Sequence, residues 1–152
     1  MEQVLKKVKE WEEAGYLEEV QEQPWWTNPL SVVVKEDLET KEVKKRVVLE
    51  TSRHLSKNVI KQTVQMEDLK ATGAIMAQGK YTAVFDLENQ FFHVKLAEEV
   101  KQLFGLAVEV EGQEKFYMFN IMVYGFSPAV AVVTKLIKPL QSYLQCTWTM
   151  ER

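Results

Sequence analysis

Hydrophobic residues recur along the chain with two different periods, and these periods separate helical from extended segments. Near the start, apolar residues three and four positions apart precede Gly15 and predict an amphipathic helix over Glu2–Ala14. This apolar stripe consists of Val4, Val8 and Trp11. Two runs rich in β-branched residues, Leu30–Val34 and Arg46–Leu49, flank a polar stretch and predict a β-hairpin.

The rest of the chain alternates between the same two periods. The predicted elements are a short helix (Met66–Gln78), two strands (Tyr81–Phe85 and Phe91–Leu96), a hairpin (Phe104–Val110 with Lys115–Asn120) and a long apolar helix (Ser127–Leu144). Pro139 is expected to kink the long helix, because proline removes a backbone donor. The order of elements predicts an α+β fold, with antiparallel sheet and packed helices in one domain.

Composition places the chain among ordinary globular domains. It has 152 residues, of which 46% are hydrophobic and 27% charged, and this excludes collagen-like and wholly disordered chains. Cys146 is the only cysteine, so no intramolecular disulfide can form and an intracellular location, cytoplasmic or nuclear, is expected. No apolar run approaches the roughly 20 residues of a membrane helix, so no membrane partner is expected.

The formal net charge of -3 hides an uneven distribution of charge along the chain. Residues 1–39 carry four basic and ten acidic side chains, whereas residues 40–62 carry seven basic and two acidic ones. Fields at a protein surface act over short distances in salt solution. The basic segment is therefore expected to attract a polyanion even though the whole chain is slightly acidic.

Three segments carry residues suited to metal or phosphate chemistry. Asp86 follows the apolar residues 83–85, and a carboxylate beside a backbone carbonyl suits Mg²⁺, although aspartate also commonly ends a strand as a turn residue. Arg46 suits phosphate through its planar guanidinium, and a solvated basic strand edge is the alternative. Gly125 permits close approach of a ligand, and a simple strand-to-helix turn is the alternative.

In their order along the chain, these segments resemble the fingers and the first part of the palm of a reverse transcriptase. The closest likeness is to the retrotransposon type, including elements that carry a tyrosine recombinase. The segments that carry the resemblance are Trp25–Lys35, Arg46–Glu50, Arg53–Lys57, Val64–Leu69, Phe85–Leu96, Phe104–Gly105, Phe116–Asn120 and Tyr124–Ala129. The resemblance implies a partial right-hand polymerase in one truncated domain over residues 1–152, fingers-like over about 1–80 and partial palm over about 81–152.

The resemblance also implies roles for individual residues. Asp86 would be the catalytic carboxylate and a Mg²⁺ ligand, with the backbone carbonyl of Leu87 as a second ligand. Phe91 would lie under the sugar of the incoming nucleotide. The residues that would contact the triphosphate or line the nucleotide and template site are Arg46, Lys45, Lys35, Tyr124, Gly125 and Phe126. The implied partners are a dNTP and an RNA or DNA template-primer.

The second palm motif of the family, an aromatic residue followed by x-Asp-Asp, does not occur in these residues. The chain has three aspartates, Asp37, Asp68 and Asp86, and no two are adjacent. One carboxylate does not hold two Mg²⁺ ions, so we expect a vestigial Asp86, weak Mg²⁺ binding and no polymerisation by this chain alone. A partner chain that completes the palm is a further expectation. Glu50 and Ser56 also replace the aspartate and asparagine usual in the family.

Two other functions remain open. The basic segment and the aromatic residues favour a module that binds RNA or single-stranded nucleic acid by charge and stacking. An incomplete palm sheet, with an uncovered edge and apolar patch, favours a protein-interaction module.

Overall fold

The computed structural model describes residues 2–36, 41, 43–52, 55–60, 62–64, 68–78 and 86–150. Within them the chain forms, in order, α1 (Glu2–Glu13), β1 (Leu17–Val20), β2 (Leu30–Glu36), β3 (Val43–Leu49), a 3₁₀ turn (Leu55–Lys57), α2 (Leu69–Gln78), a second 3₁₀ turn (Gln90–His93), α3 (Glu98–Lys101), β4 (Gly105–Val110), β5 (Gln113–Phe119) and α4 (Ala129–Met150). The fold is α+β with antiparallel sheets, and the predicted class is confirmed.

A three-stranded antiparallel sheet in the order β1-β5-β4 carries much of the core. The hairpin of β4 and β5 was predicted and is confirmed, with Val110 opposite Gln113 beside its turn. The edge strand β1 was not predicted, because its four residues contain only two apolar positions, Leu17 and Val20. Its pairing with β5, in which Leu17 lies opposite Phe119, depends on a contact between residues distant in sequence.

Helix α1 packs its apolar stripe against this sheet, as its periodicity predicted. The Trp11 side chain is 6% exposed, and its ring meets the ring of Phe119 edge to face, with the centroids 5.3 Å apart. Val8 is also buried in the same core cluster. Burial of these side chains fixes α1 beside the sheet, and it therefore also fixes the direction of the polar residues on the helix.

The predicted hairpin of β2 and β3 is also confirmed, with Val33 opposite Arg46 in the register. Val32, Val33 and Val34 are 41%, 50% and 58% exposed, so most of the hairpin lies outside the core. Leu49 at its base is 4% exposed and joins the core cluster. The hairpin is thus an arm that is anchored at one end.

The prediction of a strand over Phe91–Leu96 is wrong. Asn89 adopts a left-handed conformation with φ 50°, and a 3₁₀ turn follows it. Phe91 and Phe92 both pack against Tyr124, with centroid distances of 5.0 and 5.3 Å. Adjacent residues of a strand point to opposite faces and could not both make this contact, so the aromatic packing favours the turn.

The remaining helix predictions differ from the structure in their boundaries. The short helix begins at Leu69, and Met66 and Glu67 at its predicted start lie outside the described residues. The predicted strand Tyr81–Phe85 also lies outside them. The last helix begins at Ala129, two residues later than predicted, and contains Pro139. No helix in the described part of the chain is long and apolar enough to cross a membrane.

Candidate nucleic-acid interface

A cavity of about 1010 Å³ lies between α1, β3 and the segment that carries Tyr124, and it is termed the α1–β3 groove. Core contacts hold both walls in place, since Trp11 of α1 and Leu49 of β3 belong to the same buried cluster. The basic residues that line the groove are Lys6, Lys7, Lys45 and Arg46. Among the described residues that line it, Glu10 is the only acidic one. The groove therefore carries an excess of positive charge in a chain whose formal sum is -3.

Two of the predicted phosphate contacts lie in this groove. Lys45 and Arg46 are both exposed on β3 and both line the cavity. Lys35, the third predicted contact, lies opposite Lys44 on the neighbouring strand. Lys35 is exposed but is not among the described residues that line the groove. Two of the three candidates thus belong to the stretch of β3 that lines the cavity, and as adjacent strand residues they point to opposite faces of the hairpin, whereas Lys35 is not among the described lining residues.

Aromatic side chains form another part of the groove. Tyr124 is 39% exposed, and its ring packs against the rings of Phe91 and Phe92. The ring of Phe92 in turn meets that of Tyr16 edge to face at 5.2 Å. These contacts hold Tyr124 in a fixed orientation while a large fraction of its surface stays open. Such a ring is suited to stacking against a nucleic-acid base.

Asp86 and Leu87 are exposed and precede the turn at Asn89, which lines the groove. Neither of them is among the lining residues that the structure describes. Nor does the described part of the chain contain a group of three His, Cys, Asp or Glu side chains that could hold a metal ion. His93 has its Nε2 3.1 Å from the carbonyl oxygen of Glu88, a local contact within the turn. These residues do not fit a two-metal centre, which needs several carboxylates around the ions.

Gly125 joins the aromatic wall to the base of the hairpin. Its φ is +94°, and a Cβ atom at this position would lie 3.1 Å from the carbonyl oxygen of Leu49 and 3.5 Å from Oγ1 of Thr51. The group that lies close to Gly125 is therefore the protein's own backbone at Leu49. The positive φ and the close contact both explain why glycine stands here.

Ser56 strengthens the same junction. Its side chain is buried, and its hydroxyl accepts a hydrogen bond from the backbone N–H of Ser127 at 3.2 Å. The hydroxyl also lies 3.5 Å from the carbonyl oxygen of Gly125, a long donor contact. These contacts tie the segment after β3 to the turn that positions Tyr124. Phe126, which was predicted to line the template site, is partly buried and packs edge to face against the core residue Phe104 at 5.0 Å.

Helix α1 contributes groove residues that sequence reasoning missed. Lys7 donates to Glu10 with 2.7 Å between Nζ and Oε2, and this ion pair lowers the pKa of the Glu10 carboxyl. Lys7 Nζ also lies 5.8 Å from the centroid of the Trp11 ring. One signal was available: the residues at positions 3, 7, 10 and 14 follow helical spacing directly beside the apolar stripe.

A second cavity, of about 370 Å³, lies near the end of β1 and is termed the Trp25 cavity. Trp25 is 78% exposed there, and its backbone N–H donates to Oε1 of Gln102 at 3.2 Å. The described residues that line this cavity include Glu22 but no lysine or arginine. Its lack of cations makes it an internal comparison for the α1–β3 groove.

No protein-family model matches the chain, and no curated protein matches it.

Proposed function

We propose that this chain is a reverse-transcriptase-like domain whose α1–β3 groove binds nucleic acid, and that it does not polymerise by itself. One observation carries the proposal. Arg46 and Tyr124 belong to different motifs, far apart in sequence, that suggested the polymerase resemblance, yet they line the same cavity. A chance likeness in separate motifs gives no reason for these two residues to line one cavity.

The finer fold proposed is a partial right-hand polymerase. The β2–β3 hairpin would correspond to the fingers, and β4, β5 and α4 to part of the palm. The three-stranded sheet would then be the floor on which the polymerase site is built. This assignment rests on the order of the motifs, together with the antiparallel pairing of β4 with β5.

The groove has the chemistry needed to bind a strand, whereas the residues around Asp86 lack the chemistry needed to extend one. Lys45 and Arg46 supply charge for phosphate, and Tyr124 supplies an open ring for a base. Phosphoryl transfer requires metal ions held between several carboxylates, whereas Asp86 and Glu88 are both exposed and belong to no group of three metal-ligating side chains in the described part of the chain. Binding without turnover is therefore the expected activity of this chain alone.

Fluorescence anisotropy with a labelled single-stranded RNA, repeated over a range of salt concentrations, tests this function. We expect binding that weakens steeply with salt, because it releases counterions from phosphates. Arg46→Ala should weaken binding by roughly tenfold at low salt, equivalent to about 1.4 kcal/mol, and reduce the salt slope by about one. The matched control is Lys35→Ala, which removes a cation from the same hairpin but outside the groove. Absence of binding at low salt would contradict the proposal.

An RNA-binding or single-strand-binding module without a polymerase origin is the second candidate, since it would use the same cations and the same ring. Competition by a dNTP separates the two. A polymerase-derived nucleotide site predicts that a dNTP displaces the RNA in a manner that depends on Arg46, whereas a general strand-binding module predicts little displacement. Magnesium-dependent primer extension above background would contradict the inactivity of the chain.

A further inference from the structure

Two walls of the α1–β3 groove carry cations, and only the β3 wall was expected to do so. Lys6 and Lys7 line the cavity from α1, and Lys45 and Arg46 line it from β3. A nucleoside triphosphate concentrates its phosphates at one point, whereas a single strand distributes them along its length. Cations on two separate walls therefore suit the backbone of a strand better than the compact charge of a triphosphate.

The position of Lys7 is set by the core beneath it. Its ammonium lies 5.8 Å from the centroid of Trp11, whose ring is buried against Phe119. The side chain of Lys7 remains 41% exposed. Lys7 therefore combines a defined position, supported by a cation–π contact, with access to solvent and to a ligand.

Glu10 occupies the anion position next to Lys7. Its carboxylate lies 2.7 Å from the ammonium, and its side chain is 45% exposed. Exposed ion pairs of this kind contribute little to stability, since solvent screens them and two long side chains must be ordered. A phosphate that approaches Lys7 can therefore displace the carboxylate at small cost to the fold.

From these contacts we propose that α1 is a second backbone-binding wall for single-stranded nucleic acid, with Lys6 and Lys7 as phosphate contacts and Glu10 as an internal competitor. This inference rests on the proposed function, because it requires that a strand enters the groove. It adds to that function a set of residues that the polymerase resemblance does not assign. It also predicts that one substitution in the groove strengthens binding.

The test is a set of charge-neutralising variants of the full chain, measured by anisotropy with labelled oligo(U) RNA at low salt. Lys7→Gln should weaken binding by about three- to tenfold and reduce the salt slope by about one. Glu10→Gln should strengthen binding by about threefold, because it releases Lys7 and removes a like charge from the path of the phosphates. In the background of Lys7→Gln, the effect of Glu10→Gln should shrink, since the two residues are in contact.

Matched controls on the same helix separate a local effect from a change in net charge. Lys9→Gln changes the charge of α1 by the same amount as Lys7→Gln, and Glu13→Gln by the same amount as Glu10→Gln. Neither Lys9 nor Glu13 is among the described residues that line the groove. Both controls should leave affinity within about twofold of the unmodified chain, since exposed charges away from the contact are largely screened. Thermal melts followed by circular dichroism should show that all variants fold.

Each outcome then supports or overturns a distinct claim. RNA binding that responds to Arg46→Ala but not to Lys7→Gln or Glu10→Gln would overturn the role of α1 and leave the proposed function intact. Equal effects of Glu10→Gln and Glu13→Gln would overturn the competitor role of Glu10. If Lys7→Gln weakened the binding of a dNTP but not the binding of the RNA, the claim that α1 binds a nucleic-acid strand would be overturned. No binding by the unmodified chain would overturn both proposals.

Discussion

The three-stranded sheet and the β2–β3 hairpin are both rich in apolar residues, yet the two regions use them differently. In the sheet, Leu106 and Phe119 are fully buried at 0% exposure, and α1 covers the face that carries Phe119. In the hairpin, Val33 and Val34 are at least half exposed, and burial begins only near Leu49. The comparison teaches that an apolar strand becomes core only where another element covers it.

The sheet and the hairpin also differ in charge, and each has a different role in the proposed function. The cations Lys45 and Arg46 lie on the exposed arm, where they cost little in desolvation and remain accessible to phosphate. The sheet and α1 supply the rigid base that positions the opposing wall. In the proposed function the sheet provides stability and the hairpin provides binding, so substitutions in the two regions should affect different measurements.

The largest expected difference between the regions is in stability. Phe119→Ala removes a fully buried ring that packs on Trp11, and it should lower the free energy of unfolding by about 3–5 kcal/mol. Val33→Ala removes a side chain that is 50% exposed and should cost less than about 1 kcal/mol. Urea unfolding of both variants measures the difference. Equal costs would show that the hairpin is packed as tightly as the sheet.

A smaller effect is expected where the regions meet. Gly125→Ala forces an alanine into a φ of +94° and places its Cβ 3.1 Å from the carbonyl oxygen of Leu49. We expect a loss of about 1–3 kcal/mol in stability, together with weaker RNA binding, because the turn that holds Tyr124 must shift. Gly73→Ala is the matched control, since nothing lies within 4 Å of its Cβ position in α2. The control should be neutral or stabilising by up to about 1 kcal/mol.

The smallest effect concerns pH and reports on the sheet. Burial raises the pKa of the Tyr117 phenol, so the native state holds this proton more tightly than the unfolded chain does. Stability should therefore be unaffected by this group below pH of about 10 and should fall as the pH rises further, by at most about 1.4 kcal/mol per pH unit.

The tyrosine variant Tyr117→Phe provides the control for this pH dependence. Urea unfolding at increasing alkaline pH should show a shallower loss of stability in Tyr117→Phe than in the unmodified chain, because the titrating phenol is absent. Identical pH profiles of the two proteins would contradict the assignment of the effect to Tyr117.

Local periodicity predicted the elements that have a long apolar pattern of their own. Helix α1 and both hairpins were predicted for this reason, and their positions agree with the structure to within a few residues. Strand β1 was missed because it has only Leu17 and Val20 as apolar residues, and its pairing partner lies about a hundred positions away on β5. The turn at Phe91 and Phe92 was missed because their shared contact with Tyr124 is tertiary.

The candidate site was also predicted only in part, because tertiary contacts cannot be read from local sequence patterns. Motif chemistry identified Arg46 and Tyr124, and both lie in the groove. It did not identify Lys7, because the contribution of α1 depends on how the helix is placed beside β3. It did not indicate that the Phe126 ring packs against Phe104, since that contact is also tertiary. Residue type indicates what a side chain can bind, but the packing of distant elements determines which side chains meet.

The most direct test of the central claim is an NMR titration of the isotope-labelled chain with a short single-stranded RNA, followed through the backbone amide shifts. We predict saturable shifts of Lys7, Arg46 and Tyr124, which line the α1–β3 groove from its different walls. The amides of Trp25 and Gln102 in the Trp25 cavity should stay unchanged. Shifts confined to the Trp25 cavity, or no saturable shifts at low salt, would contradict the claim that the groove binds nucleic acid.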